Sequence, residues 1–224
     1  MRSPRIKETG PGYYHVISRV VDRQMILNDT EKERFRRLMR AVEGFSGCRV
    51  LTYALLSNHF HVELYVPGKL QIDDQELIRR LQYLYSAREV RQFAKELQRL
   101  REAGNDAAAE DLRKPYLVRM HDLSEFVKDL KQRFSQCYNR RHGRRGTLWE
   151  ERFKSTLLEG NPGTLATVAA YIDLNAVRAG IVDDPKDYRF CGYGEAVAGS
   201  RRAQQGIRCL MTTLGATPQW KGAA

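Results

Sequence analysis

The run from Arg49 to Val66 constrains this chain more than any other segment: it is apolar, too long for one ordinary strand, and interrupted once, at Ser57-Asn58. Such a pattern predicts two strands joined by a tight turn, or one strongly bent strand. In either case the two-residue period of a strand puts His59 and His61 on one face and Phe60 on the other. Two imidazoles side by side at the start of the second arm are half of a metal site. A His-x-His pair on a strand can equally be a solvent-facing pair, so the rest of the chain has to decide between the two.

Before this run, Gly10-Pro11-Gly12 punctuates the chain and Tyr13-Tyr14-His15-Val16-Ile17-Ser18-Arg19-Val20 has the composition of a first strand. Asn28-Asp29-Thr30 offers N-caps for a helix to about Glu43, with Phe35, Leu38, Met39 and Val42 at helical spacing and Gly44 past its end. Residues 70–119 are charged, periodic in leucine and broken at Gly104-Asn105, the pattern of a helical insert, most simply a hairpin packed on the body. A helix opens at Leu123-Ser124 and runs through Phe126, Val127, Leu130, Phe134 and Tyr138 into the loop Arg140-Arg141-His142-Gly143-Arg144-Arg145-Gly146. Thr147 to Leu158 reads as a last strand. Asn161-Pro162-Gly163-Thr164 starts a final helix that closes at Gly180, with loop and tail beyond Pro185. The order β-α-β-β-(helices)-β-α implies an α+β sandwich, a small antiparallel sheet with helices on one face. One domain over 1–199, including the insert at about 70–119, and a tail over 200–224 are expected.

Charge indicates the partner. With 38 Lys and Arg against 27 Asp and Glu, a net charge of +11, a polyanion is the natural ligand, nucleic acid before membrane. No apolar run is long enough to span a bilayer, and the basic N-terminus lacks the apolar core of a secretory signal, so a cytoplasmic protein is expected. Cys48, Cys137, Cys191 and Cys209 form no C-x-x-C pair, which argues against a zinc knuckle or disulfide framework.

If residues 164–178 are helical, Tyr171 and Asn175 stand one turn apart on one side. Two imidazoles and the Asn175 amide oxygen would supply three protein ligands and leave positions open for phosphate oxygens, as a catalytic metal requires. Tyr171 would then be the nucleophile. Each feature has a plainer alternative: a helical Tyr is usually packing, and an Asn near a helix end can bond its own backbone. Tyr138, with His142 one turn on, is a competing nucleophile. The arginine loop, with Arg152 and Lys154, suits phosphates, because Gly143 and Gly146 let the backbone approach and His142, Trp149 and Phe153 offer faces to bases.

Taken together, His59-Phe60-His61, the segment Tyr138 to Trp149, Arg152-Phe153-Lys154-Ser155 and Tyr171-Ile172-Asp173-Leu174-Asn175-Ala176-Val177-Arg178-Ala179-Gly180 resemble the HUH single-tyrosine transposases, particularly the REP-associated tyrosine transposases. Gly12 to Arg19 and Asp187-Tyr188-Arg189 fit the same resemblance, which leaves out only the insert and the tail. It implies a ferredoxin-like fold, His59, His61 and Asn175 as ligands of Mg²⁺ or Mn²⁺, and Tyr171 as nucleophile. The implied activity is endonuclease cleavage and strand transfer on single-stranded DNA flanked by hairpins, as in DNA transposition and recombination, through a 5′-phosphotyrosine. Arg140, Arg141, His142, Arg144, Arg145, Arg152 and Lys154 become the candidate DNA contacts, and a monomer or homodimer the expected state. A protein that binds hairpins on the same scaffold without cutting them is the alternative. The chain departs from the commoner Asn-Pro-Val-Arg pattern at Ala176 and in carrying the long insert.

Overall fold

A computed structural model describes residues 10–213. Its centre is a four-stranded antiparallel sheet of β1 (Gly12–Arg19), β2 (Arg49–Leu55), β3 (His59–Val66) and β4 (Lys154–Leu158), ordered β2-β3-β1-β4. The long apolar run is therefore two strands, with Leu56-Ser57-Asn58 as the turn. α1 (Asp29–Ser46) connects β1 to β2, and α5 (Leu123–Arg141) leads towards β4, the ferredoxin-like arrangement. Both helices begin at acceptor side chains, Asn28 and Asp122, each bonded to a first-turn amide. α1 passes Gly44 and stops at Gly47, whose positive φ of 74° closes the helix in the left-handed region.

Alternate residues of the strands build the main core. Tyr14, Val16, Phe60, Val62 and Leu64 are buried together with Phe35, Met39 and Val42 of α1 and Phe126, Leu130 and Phe134 of α5. The Phe35 ring lies 4.8 Å from Phe60 and 5.0 Å from Phe134.

The insert folds as α2 (Asp74–Leu81), α3 (Ala87–Glu102) and α4 (Asp106–Leu117), with the break at Gly104-Asn105 where the sequence places it. Leu77, Leu81, Phe93, Leu97 and Leu100 form a second core that meets the body at Phe45. Ser86 and Glu89 cap α3 reciprocally.

Past β4 come α6 (Pro162–Asp173), α7 (Asn175–Arg178), α8 (Gly192–Val197) and α9 (Arg201–Thr213). Residues 201–213 are thus a helix and not loose tail; residues 214–224 lie outside the described residues. α9 lies against β2, where Gly206 sits so close to the Val50 and Leu51 carbonyls that a Cβ would fall 2.5 Å from each oxygen. With α6 it covers Tyr13, Tyr65 and Leu158, so the sheet carries helices on its second face as well. The last strand is shorter than Thr147–Leu158: the preceding residues run irregularly, held to the end of β1 by the Val20–Trp149 bridge, the Glu150 amide on the Arg19 carbonyl at 3.0 Å and the Val21 amide on the Leu148 carbonyl at 3.1 Å.

Candidate active site

The second sheet face carries the polar residues. In the β1·β3 register His15 pairs with Glu63, Ile17 with His61 and Arg19 with His59. His15 is therefore a diagonal neighbour of His61, within reach for a ring. The His15 Nε2 and His61 Nδ1 atoms are 2.9 Å apart, with ring centroids at 5.2 Å, and His59 lies 5.2 Å from His61 by the same measure.

These imidazoles are held neutral. Burial lowers His15. His59 is lowered by burial and then by the Arg19 charge. His61 falls to about 3, first through burial and then through His15, His59 and Arg19. Neutral imidazole is the metal-binding form. The Asn58 amide is oriented by its Nδ2 bond to the Arg23 carbonyl, at 3.1 Å, so its Oδ1 accepts from His59 Nδ1–H at 2.6 Å. That bond places the proton on Nδ1 and leaves Nε2 of His59 with its lone pair.

Glu63 lies deeper on the same face. It is fully buried, neither carboxylate oxygen has a hydrogen-bond partner among the described residues, and burial, with Asp173 adding to it, pushes it up to about 8. It is a neutral acid at physiological pH. Asp173 is raised to about 6 by burial, against hydrogen bonds that favour its charge. The Thr52 hydroxyl donates to it at 2.8 Å and the Tyr193 amide at 3.0 Å. These bonds tie the end of α6 to β2.

That anchorage fixes Tyr171. Asn161 caps α6, accepting from the Thr164 amide at 2.8 Å, and Pro162 occupies the first turn. Ile172 is buried in the main core, which turns its neighbour Tyr171 outward at 42 % exposure. The Tyr171 ring stands 5.9 Å from His61 and 6.1 Å from His15, edge-on to both, and Arg178 lies 5.1 Å over its face. Sheet and helix thus bring the histidines and the tyrosine together.

Asn175 is placed differently. The helix is not continuous over 164–178: it breaks at Leu174, and Asn175 opens α7. Its Nδ2 donates to the Tyr171 carbonyl at 2.8 Å and the Ile172 carbonyl at 3.3 Å, bracing the break. Its Oδ1 makes no hydrogen bond among the described residues, and that atom is the one a cation would use. No three His, Cys, Asp or Glu side chains converge as a metal site among the described residues. The side chains here that could meet a hard or borderline divalent ion are the neighbouring His59 and His61 imidazoles, with the Asn175 amide oxygen on the helix that follows.

Tyr138 is excluded as a nucleophile. It is 5 % exposed, in the main core, with its ring stacked 4.1 Å from His142. His142 and Arg141 are bound to the buried carboxylate of Glu31, the imidazole at 3.1 Å. Trp149 and Phe153 are buried too, and Trp149 Nε1 donates to Ser135 Oγ at 2.9 Å. Burial takes Trp149 and Phe153 largely out of reach of bases, whereas the His142 ring, stacked on Tyr138, is itself exposed. Arg140, Arg144, Arg145 and Arg152 form no ion pair among the described residues, whereas Lys154 lies 3.4 Å from Glu151. Gly143 and Gly146 have φ of 59° and 87°, so the arginine loop needs both glycines for its shape.

His15 and Arg19 are the site residues that sequence reasoning misses. Their signal is parity: they occupy alternate positions of β1, but only the pairing of β1 with β3 puts them beside His59 and His61.

Comparison with known proteins agrees with this architecture. Residues 10–105 match the family model of the IS200-like transposases, a span that ends just past α3. The structure of a REP-associated tyrosine transposase bound to a REP hairpin superposes with a TM-score of 0.56 at 16 % identity, covering 89 % of this chain and 87 % of that one. A Deinococcus radiodurans R1 candidate transposase aligns at 12 % identity, over 77 % of this chain and 96 % of its own, with a TM-score of 0.36 that is too low to carry an argument. No curated protein matches. The resemblance to a transposase read from the motifs is borne out by the family match over residues 10–105, and the fold it implies by the REP-associated structure. No helix among the described residues is long and apolar enough to cross a membrane.

Proposed function

We propose that this chain is a metal-dependent single-tyrosine enzyme that nicks single-stranded DNA at hairpin-flanked sites and transfers the strand. The observation that carries the reading is the convergence of Tyr171 with His61 from separate elements, 5.9 Å between rings. The Tyr171 phenol oxygen attacks phosphorus and the bond to the 3′-oxygen breaks. The phenolic proton leaves to solvent and the departing 3′-oxygen gains one, giving a 5′-phosphotyrosine and a free 3′-hydroxyl. The ester energy is retained, so the step can reverse onto another strand. His59, His61 and the Asn175 oxygen would hold Mg²⁺ or Mn²⁺, which when bound polarises the phosphate and offsets its developing charge.

This chain's own residues do the rest. Asp173 and Ile172 fix the helix that carries the nucleophile, and Arg178 stacks on its ring. Arg19 adds a positive charge at the lip of the histidine pair, suited to a backbone phosphate. The hairpin in the neighbouring transposase structure supports a structured single strand as substrate.

The test is incubation with single-stranded oligonucleotides drawn from the DNA around the protein's own gene, with Mg²⁺ or Mn²⁺, followed by a denaturing gel. A protein-linked fragment should form, disappear in Tyr171→Phe and persist in Tyr138→Phe. Tight hairpin binding with no adduct under any of these conditions would instead establish the non-catalytic binder.

A further inference from the structure

We infer that His15 is a positioning residue for the metal site: it accepts the Nδ1 proton of His61 and so presents the His61 Nε2 lone pair to the cation. The inference rests on the proposed reading of His59 and His61 as ligands. Its physical basis is the symmetry of the two imidazoles. Asn58 accepts from His59 Nδ1 at 2.6 Å and thereby fixes that ring's tautomer. His61 has a partner at the same ring position, His15 Nε2 at 2.9 Å. A neutral His61 carries one proton. If that proton sits on Nδ1, both ligand rings expose Nε2; if it sits on Nε2, one ligand is lost.

Geometry favours the supporting role over direct ligation. His15 turns Nε2 to His61, an atom spent on the hydrogen bond, and it makes no three-membered ligand group with His59 and His61. The two rings are nearly parallel, at 16°, and both stand close to perpendicular to the Tyr171 ring, so His15 also fixes the wall against which the phenol stands. β1 supplies this group because its Cα register sets His15 one diagonal step from His61. The pair is only partly accessible, His61 being 3 % exposed, so water competes poorly for the Nδ1 proton.

Two measurements test this. Long-range ¹H–¹⁵N correlation spectra of the metal-free wild-type protein should show His61 protonated on Nδ1 and bare on Nε2; the opposite tautomer would overturn the inference without any mutation. Calorimetric titration with Mn²⁺ should show His15→Ala binding about 10- to 100-fold more weakly than wild type, at an unchanged unfolding midpoint, and His15→Gln, whose amide oxygen can accept at the same place, recovering most of that loss. Wild-type affinity in His15→Ala would overturn the proposal. So would an equal loss in the Gln variant, because it would make His15 a direct ligand. If wild-type protein binds no Mn²⁺ or Mg²⁺ at all, the metal-dependent function fails, while the tautomer spectrum still decides how His15 and His61 share their proton.

Discussion

The same strands present two different chemistries on their two faces. On β3, Phe60, Val62 and Leu64 turn towards α1 and α5 and lie in a continuous apolar core. One residue out of step, His59, His61 and Glu63 turn to the other face, where they meet His15, Asp173 and Tyr171. The first face gains stability from area buried and close packing. The second gives some of it up, burying imidazoles below their usual basicity and a carboxyl group with no hydrogen-bond partner among the described residues. A site of this kind depends on the rigidity of the core a single side chain's thickness behind it.

Truncation separates the two faces most sharply. Phe60→Ala removes a fully buried ring that touches Phe35 and Trp149 and should cost about 3–5 kcal/mol in chemical denaturation. Below its unfolding midpoint the variant should bind Mn²⁺ within about threefold of wild type, since the lost atoms face away from the imidazoles. Tyr171→Phe should do the reverse, leaving stability close to wild type because the hydroxyl belongs to a half-exposed ring, while eliminating the covalent adduct. If Phe60→Ala loses adduct formation while still folded and metal-bound, the faces are coupled more tightly than this division allows.

Protonation gives the next largest effect and belongs to the polar face alone, where two neighbouring groups on β3 act with opposite sign. Glu63 is raised to about 8 in the folded protein from an ordinary 4.5. The native state therefore binds more protons than the unfolded state between those values. The group's contribution is whole below pH 4.5 and is lost as pH rises through about 8. His61, at about 3 against 6.5, works the other way, and stability falls as pH drops through that window. Metal-free wild-type protein should thus lose stability from pH 6.5 to 9, and Glu63→Gln should abolish that decline and exceed wild type by on the order of 2 kcal/mol at the alkaline end. A Glu63→Gln profile parallel to wild type would show that Glu63 ionises without cost and that its surroundings are wetter than its burial implies.

The extent to which this could be read from the chain follows the same division. The apolar face, the order of strands and helices and the break at Gly104-Asn105 were legible because hydrophobic period and capping residues are local signals. His59 and His61 were legible because their spacing is itself a strand period, and Tyr171 because motif and helix agreed. His15 was not, because its role depends on a pairing between residues 46 positions apart. The break at Leu174 escaped notice because Asn175 offers a side-chain bond to the Tyr171 carbonyl that competes with helix continuation, a choice no periodicity records. The arginine loop misled in part. Its composition suggested one DNA-binding surface, yet Arg141 and His142 answer a buried carboxylate on α1 that is 110 and 111 residues away in sequence. Residues 200–213 were assigned to a tail because the packing of α9 on β2, α6 and α8 is a long-range contact that its own sequence does not announce.

That loop yields the smallest predicted effects and carries the comparison to the sheet's edge. Arg141→Gln leaves Glu31 with His142 as its remaining partner and should lower stability by about 1 kcal/mol. Arg144→Gln with Arg145→Gln should leave stability unchanged, since neither guanidinium holds an ion pair among the described residues. Their contribution should appear only in DNA binding. Each phosphate neutralised adds roughly 0.7 to the slope of log affinity against log salt for a single strand, so the double variant should lower that slope by about one to two units. The effect should be the same for every oligonucleotide, because a phosphate contact carries no base information. An unchanged slope with normal folding would make Arg144 and Arg145 bystanders. A loss confined to one hairpin sequence would make the loop a reader of bases.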